Sequence, residues 1–167
     1  MLKFSVDYDG GFGHGYGFGH GHVLGEDIQS LNRPGARWSA EAEPMLNSEA
    51  VPIRPERICK EVADFLPSDA LLVVDTGHAG IWSGTMIDLN EPEQGYIRAA
   101  GSLGWAFPAA LGAKCATPDR PVICFTGDGG FWYHMSELET ALRRGINTVT
   151  VINNNHSLNQ GKRSAER

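Results

Sequence analysis

Beyond residue 50 the hydrophobic positions fall into short blocks that alternate between helical and strand spacing. Ile58, Val62 and Leu66 recur every four residues behind Pro55-Glu56, the period of one buried helical stripe. Pro55 suits the first turn, where its missing N–H has no intrahelical acceptor, and Pro67 stops the pattern. Leu71 to Val74 is a continuous apolar run of the kind buried in parallel sheets, and it ends at the polar loop Asp75-Thr76-Gly77-His78. Residues 96–100 (YIRAA) suggest a further strand. Gly101 to Ala116 is rich in small, helix-prone residues, with Pro108 tolerable only near the first turn. Residues 121–126 (PVICFT) form a second apolar run, followed by Gly127-Asp128-Gly129-Gly130. The next helix is predicted with Met135, Leu138 and Leu142 on its apolar face, Ser136 and Glu139 at capping-box spacing, and Gly145 closing it in the left-handed conformation. Thr148 to Ile152 is the next strand, rich in β-branched residues. Strand, helix and strand at this spacing make a βαβ unit, which dictates a parallel sheet and a right-handed crossover. The predicted class is therefore α/β with a Rossmann-like parallel sheet.

The first fifty residues read differently. Residues 10–22 (GGFGHGYGFGHGH) alternate glycine with Phe, Tyr and His, a composition that maximises the entropy cost of ordering. Residues 1–50 are thus expected to be a flexible Gly/His-rich extension and linker. A helical turn is expected at most around Trp38 to Glu43, and order is expected from about Pro52. The three histidines of this tail offer a weak transition-metal site. Residues 51–167 are expected to form the folded unit.

Composition narrows the partners. A chain of 167 residues with 41% hydrophobic and 20% charged residues suits one globular domain. A net charge of −6 argues against nucleic acid, since nothing here neutralises a run of phosphates. The sequence shows no apolar stretch long enough to span a bilayer and no secretory signal pattern. Cys59, Cys115 and Cys124 form no C-x-x-C pair and read as reduced thiols filling small core positions. A cytoplasmic location is the expectation.

Two polar clusters sit at the carboxyl ends of predicted neighbouring strands: Gly127-Asp128-Gly129 and Asn153-Asn154-Asn155. Open α/β sheets bind ligands at that edge. A hard cation such as Mg²⁺ takes oxygen ligands and shares them with a phosphate. Asp128 supplies an anionic oxygen and Asn155 a neutral one, while the glycines let the backbone approach a diphosphate.

The run GDGGFWYHMSELETALRRGINTVTVINNN resembles the G-D-G…N-N signature of thiamine-diphosphate-dependent enzymes. GSLGWAFPAALGAKCA is similar to the aminopyrimidine-holding segment of their acetolactate synthase-like group. The resemblance covers roughly Val51 to Gln160 and implies a three-layer thiamine-diphosphate-binding fold, present in part. It implies that Asp128, Asn155 and the Ser157 carbonyl bind Mg²⁺, and that Gly127, Gly129 and Gly130 cradle the diphosphate. It also implies that Gly77, His78 and Ala79 touch the diphosphate from the other side. Gly101, Ser102 and Leu103 would meet the pyrimidine, with Leu103 wedging the cofactor into its bent form. Asn153 is expected to end the strand rather than to ligate. His134 and His156 are left outside the site, and Trp105, Phe107 and Phe131 are read as packing.

In this family the glutamate beside the pyrimidine belongs to a separate pyrimidine-binding domain, usually on another subunit, and nothing in residues 1–50 can form one. The resemblance therefore implies no catalytic residue on this chain alone. It implies instead a fragment or split piece of a 2-keto acid decarboxylase or acetolactate synthase-like enzyme, working in a homo- or hetero-oligomer. The alternative is a non-catalytic Rossmann-like module for another phosphate ligand or a metal. Neither G-x-G-x-x-G at a strand–helix turn nor G-x-x-x-x-G-K-[ST] is present.

Overall fold

The computed structural model describes residues 3–7 and 41–158. A five-stranded sheet forms the middle layer: β1 (Lys3–Asp7), β2 (Leu71–Val74), β3 (Gly95–Arg98), β4 (Val122–Gly127) and β5 (Val149–Asn154). The strand order is β1-β5-β4-β2-β3 and every neighbouring pair is parallel. The helices are α1 (Pro55–Phe65), α2 (His78–Met86), α3 (Ala106–Ala116), α4 (Asp128–His134) and α5 (Glu137–Arg144). Most of the Gly/His-rich tail, including residues 10–22, lies outside the described residues.

Two cores flank the sheet, as an apolar strand buried on both faces requires. On one side Ile58, Cys59 and Val62 of α1, Leu66 capping its end, and Ala79 of α2 pack on Leu72, Val74, Ile123, Phe125 and Val151. On the other, α3 sets Ala106, Phe107, Ala110 and Leu111 against Leu71, Val73, Val122, Cys124 and Ile152. Phe107 meets Phe131 of α4 edge to face with ring centroids 5.1 Å apart, an arrangement worth more than its area alone. The result is the three-layer α/β fold the sequence implied.

Several expectations need correcting. Order starts well before Pro52: β1 pairs with β5, residues 41–46 form a helical turn, and Ala42 is buried. The described part of that turn includes Pro44. The predicted 101–116 helix begins only at Ala106, because Gly101 (φ 93°) and Gly104 (φ 88°) adopt left-handed backbone.

The capping box at Ser136 does not form. Ser136 is itself helical and makes no side-chain cap, since α4 runs into α5 through helical Met135 and leaves no extended residue to swing a hydroxyl inward. Glu139 pairs instead with Arg143, at 2.8 Å. The apolar face is also shifted in phase. Ala141 is buried and Leu138 partly so, whereas Met135 is exposed and Leu142 is 85% exposed. Gly145 does close α5 at φ 66°, with the Ile146 N–H returning to the Ala141 carbonyl at 2.9 Å, the geometry of a Schellman cap.

Cys59 and Cys124 are buried and Cys115 is exposed on α3, so the small-core reading holds for two of the three. Burial pushes both buried thiols well above the ordinary range, with Glu56 adding to the effect at Cys59 and Asp75 at Cys124. A thiol-reactive disulfide reagent at pH 8 should therefore titrate Cys115 alone in the native chain and reach Cys59 and Cys124 only after denaturant is added. Rapid native reaction of Cys124 would contradict the core as described. Urea melts provide the second check. Phe107→Ala should cost about 3–5 kcal/mol, whereas Leu142→Ala should stay within about 0.5 kcal/mol; similar losses for both would contradict the observed phase of α5.

Candidate functional site

The carboxyl edge of the sheet gathers the polar residues singled out by sequence. β4 and β5 are neighbours, with Gly127 opposite Asn153, so Asp128 and the last two asparagines leave adjacent strand tips. Gly127 is the extended N-cap of α4 (φ −81°, ψ 163°), so the helix starts at Asp128, within the GDGG run. The N–H groups of a helical first turn have no intrahelical acceptor, and here they belong to Asp128, Gly129 and Gly130. A Cβ on Gly129 would meet the tip of the exposed Leu158 side chain, which would have to swing aside.

Asp128 and Asn154 line one cleft of about 350 Å³, together with Phe131, Trp132, Ile152 and His156. Two further clefts, of about 230 and 340 Å³, have no carboxylate in their lining. Asn155, one residue on, turns its carboxamide oxygen to the Ser157 N–H at 3.1 Å, and Asn154 does the same for the His156 N–H at 3.0 Å. These paired side-chain turns carry the chain out of β5 through His156, whose φ is 55°. Asn153 is the buried strand residue expected, 3% exposed, and its Oδ1 has no hydrogen-bond partner among the described residues. His134 is an exposed residue ending α4.

The cation-binding chemistry can be checked against these groups. The Asp128 carboxylate, Asn155 carboxamide and Ser157 carbonyl are all oxygen donors carrying one negative charge between them, the donor chemistry of a hard cation that also binds phosphate oxygens; Asn154, not Asn155, lines the cleft with Asp128. The Asn155 oxygen accepts one hydrogen bond and keeps a second lone pair. Among the described residues no group of three His, Cys, Asp or Glu could hold a metal ion. Carboxylate, carboxamide and carbonyl oxygens are the donor types a hard cation such as Mg²⁺ takes.

Just beyond β2, the neighbour of β4 in the sheet, Gly77 (φ 77°) is the N-cap of α2, with His78 and Ala79 in its first turn. Gly101 and Ser102 are exposed and Leu103 is half-buried. Phe107 and Phe131 are buried and Trp105 packs against the same core, as packing residues should.

One residue was missed by sequence reasoning. Asp75, at the tip of β2, is only 1% exposed. Its carboxylate accepts from the Thr76 N–H (2.7 Å), the Gly104 N–H (3.0 Å to Oδ1) and the Thr126 hydroxyl (3.0 Å). The available signal was an acid placed directly behind four apolar strand residues, at a strand's carboxyl end as Asp128 is.

Comparison with known proteins agrees with this geometry. Residues 75–166 match the family described as thiamine pyrophosphate enzyme, C-terminal TPP binding domain. The acetolactate synthase large subunit of Haemophilus influenzae is 31% identical over 138 residues, which is 81% of this chain and 24% of that protein. The probable acetolactate synthase large subunit of Methanococcus aeolicus is 32% identical over 140 residues, 80% of this chain and 22% of that protein. Among solved structures, a thiamine diphosphate-dependent 4-hydroxybenzoylformate decarboxylase of Rhodococcus jostii RHA1 superposes with a TM-score of 0.61 at 30% identity, over 68% of this chain and 22% of the other. The chain thus spans about a quarter or less of the length of these relatives. With the match extending from the tip of β2 past the asparagines, the chain belongs to the thiamine pyrophosphate enzymes and carries their C-terminal TPP-binding domain.

Proposed function

We propose that residues 51–167 bind thiamine diphosphate through Mg²⁺ and serve as the diphosphate-binding part of a 2-keto acid decarboxylase or acetolactate synthase-like enzyme. The observation that carries this reading is the adjacency of β4 and β5, which delivers Asp128 and the asparagines to one sheet edge. In the proposal Asp128, Asn155 and the Ser157 carbonyl hold the cation. The first-turn N–H groups of α4 meet the diphosphate from one side, and Gly77, His78 and Ala79 meet it from the other. Gly101, Ser102 and Leu103 take the pyrimidine, with the Leu103 side chain as the wedge. The aliphatic wedge and the exposed Gly101 backbone orient the ring, and α4 excludes water from beneath the phosphates.

Thiamine diphosphate, when bound, supplies the electron sink that lets a 2-keto acid lose its carboxylate. This chain's own residues bind and orient; none of them is assigned a proton transfer. That step is assigned to a glutamate on a pyrimidine-binding domain, reached through a partner chain in a homo- or hetero-oligomer. The reading is supported by the family membership.

Calorimetry should detect thiamine diphosphate binding that requires Mg²⁺ and weakens by at least about tenfold, or roughly 1.4 kcal/mol, in Asp128→Ala. Equal binding in chelator would contradict the cation site. Tight binding of Mg²⁺-pyrophosphate without discrimination in favour of thiamine diphosphate would favour a general phosphate module. The purified chain should not decarboxylate pyruvate unless a pyrimidine-binding partner is added. Turnover by the chain alone at enzymatic rates would refute the assignment of the proton step to a partner.

A further inference from the structure

Asp75 is a buried carboxylate for which the binding proposal has no use. Removing a carboxylate from water is costly unless hydrogen bonds replace the lost hydration. Among the described residues no ion pair serves Asp75; N–H and O–H donors from three segments do. The Thr76 N–H comes from its own loop. The Gly104 N–H comes from 29 residues away and reaches both oxygens, at 3.0 and 3.1 Å. The Thr126 hydroxyl comes from β4, two residues before Asp128, and also lies 3.2 Å from the Gly127 carbonyl.

Two glycines are shaped around this carboxylate. A Cβ on Gly130 would lie 2.7 Å from Asp75 Oδ2 and 2.9 Å from Thr126 Oγ1, distances real side chains do not tolerate. Gly104 has φ 88°, and a Cβ there would lie 2.7 Å from Tyr133 Cβ and 3.1 Å from the Gly130 carbonyl oxygen. The loop carrying Gly101 to Leu103 therefore closes on α4 only because both positions lack side chains, and Asp75 holds the two together.

We infer that Asp75 is a positioning residue for the cofactor site. Its carboxylate fixes the pyrimidine-side loop, through Gly104, at a set distance from the diphosphate-side turn, through Thr126 and Gly130. The inference rests on the thiamine diphosphate reading of those two segments. It makes Asp75 the link between two half-sites that are far apart in sequence. An apolar residue would fill the same volume but leave the Gly104 N–H buried and unpaired. Asparagine can serve: Oδ1 still accepts from Thr76 and Gly104, while Nδ2 donates to the Thr126 hydroxyl, which then donates to the Gly127 carbonyl.

The test measures two ligands on the full chain by calorimetry with Mg²⁺: thiamine diphosphate, which needs both half-sites, and inorganic pyrophosphate, which needs only one. Asp75→Ala should weaken thiamine diphosphate by at least about tenfold while pyrophosphate changes less than about twofold. Asp75→Asn should restore thiamine diphosphate to within about threefold of the parent chain. Unchanged thiamine diphosphate affinity in Asp75→Ala overturns the inference, and so does a parallel loss of both ligands, which marks Asp75 as a fold-wide support. Should Asp75→Ala fail to fold, Gly104→Ala provides the same comparison: it leaves the carboxylate in place, displaces the loop from Tyr133, and should reproduce the selective loss. Equal effects of Gly104→Ala on the two ligands likewise overturn the inference. If the parent chain binds pyrophosphate but no thiamine diphosphate, the cofactor reading fails instead, and the two failures are told apart by that first measurement.

Discussion

The site depends on a single constraint: two strands separated by a helical crossover must lie side by side and point the same way. A parallel β4–β5 pair, with Gly127 opposite Asn153, brings together an acid and an amide that are 27 residues apart in the chain. An antiparallel pairing would send them to opposite edges of the sheet. The βαβ crossover enforces the parallel choice, and burial of both sheet faces by helices keeps the register from slipping, because a one-residue shift would move every core side chain to the wrong side. The glycines come second, allowing close approach at an edge the topology has already built.

Much of this was legible beforehand because apolar period and strand ends are local signals. The stripe Ile58, Val62, Leu66 and the runs at Leu71 and Val122 became α1, β2 and β4, and the motif residues fell at the carboxyl edge as their spacing required. What was not legible depends on distant partners. A short strand such as Lys3–Asp7 has no intrinsic signature until β5 offers it an edge. Leu142 carries a helical period yet faces solvent, because the phase of α5 is set by its junction with α4 and by how closely Ala141 can approach the core. The Ser136 cap failed for a related reason: a cap needs a helix start, and the preceding helix had not ended.

Asp75 shows the same limit at the site itself. Its position after β2 placed it at the productive edge, but its meaning comes from Gly104 and Thr126, neither of which is near in sequence. A polar residue behind a buried strand is ambiguous between loop and hub until the donors around it are known. In this fold the two strand-tip acids divide the work. Asp128 lines the open cleft, and Asp75 is sealed beneath the loops that frame it.

The central claim is geometric, so the most direct measurement is crystallographic. Crystals grown with thiamine diphosphate and manganese in place of magnesium should yield an anomalous peak at the carboxyl edge of the sheet. Its distances to an Asp128 carboxylate oxygen, the Asn155 carboxamide oxygen and the Ser157 carbonyl should be near the roughly 2.0–2.1 Å of magnesium-type coordination, with diphosphate oxygens completing the shell. A peak bound elsewhere, or a diphosphate in place while Asp128 and Asn155 point away from any shared ion, would contradict the account.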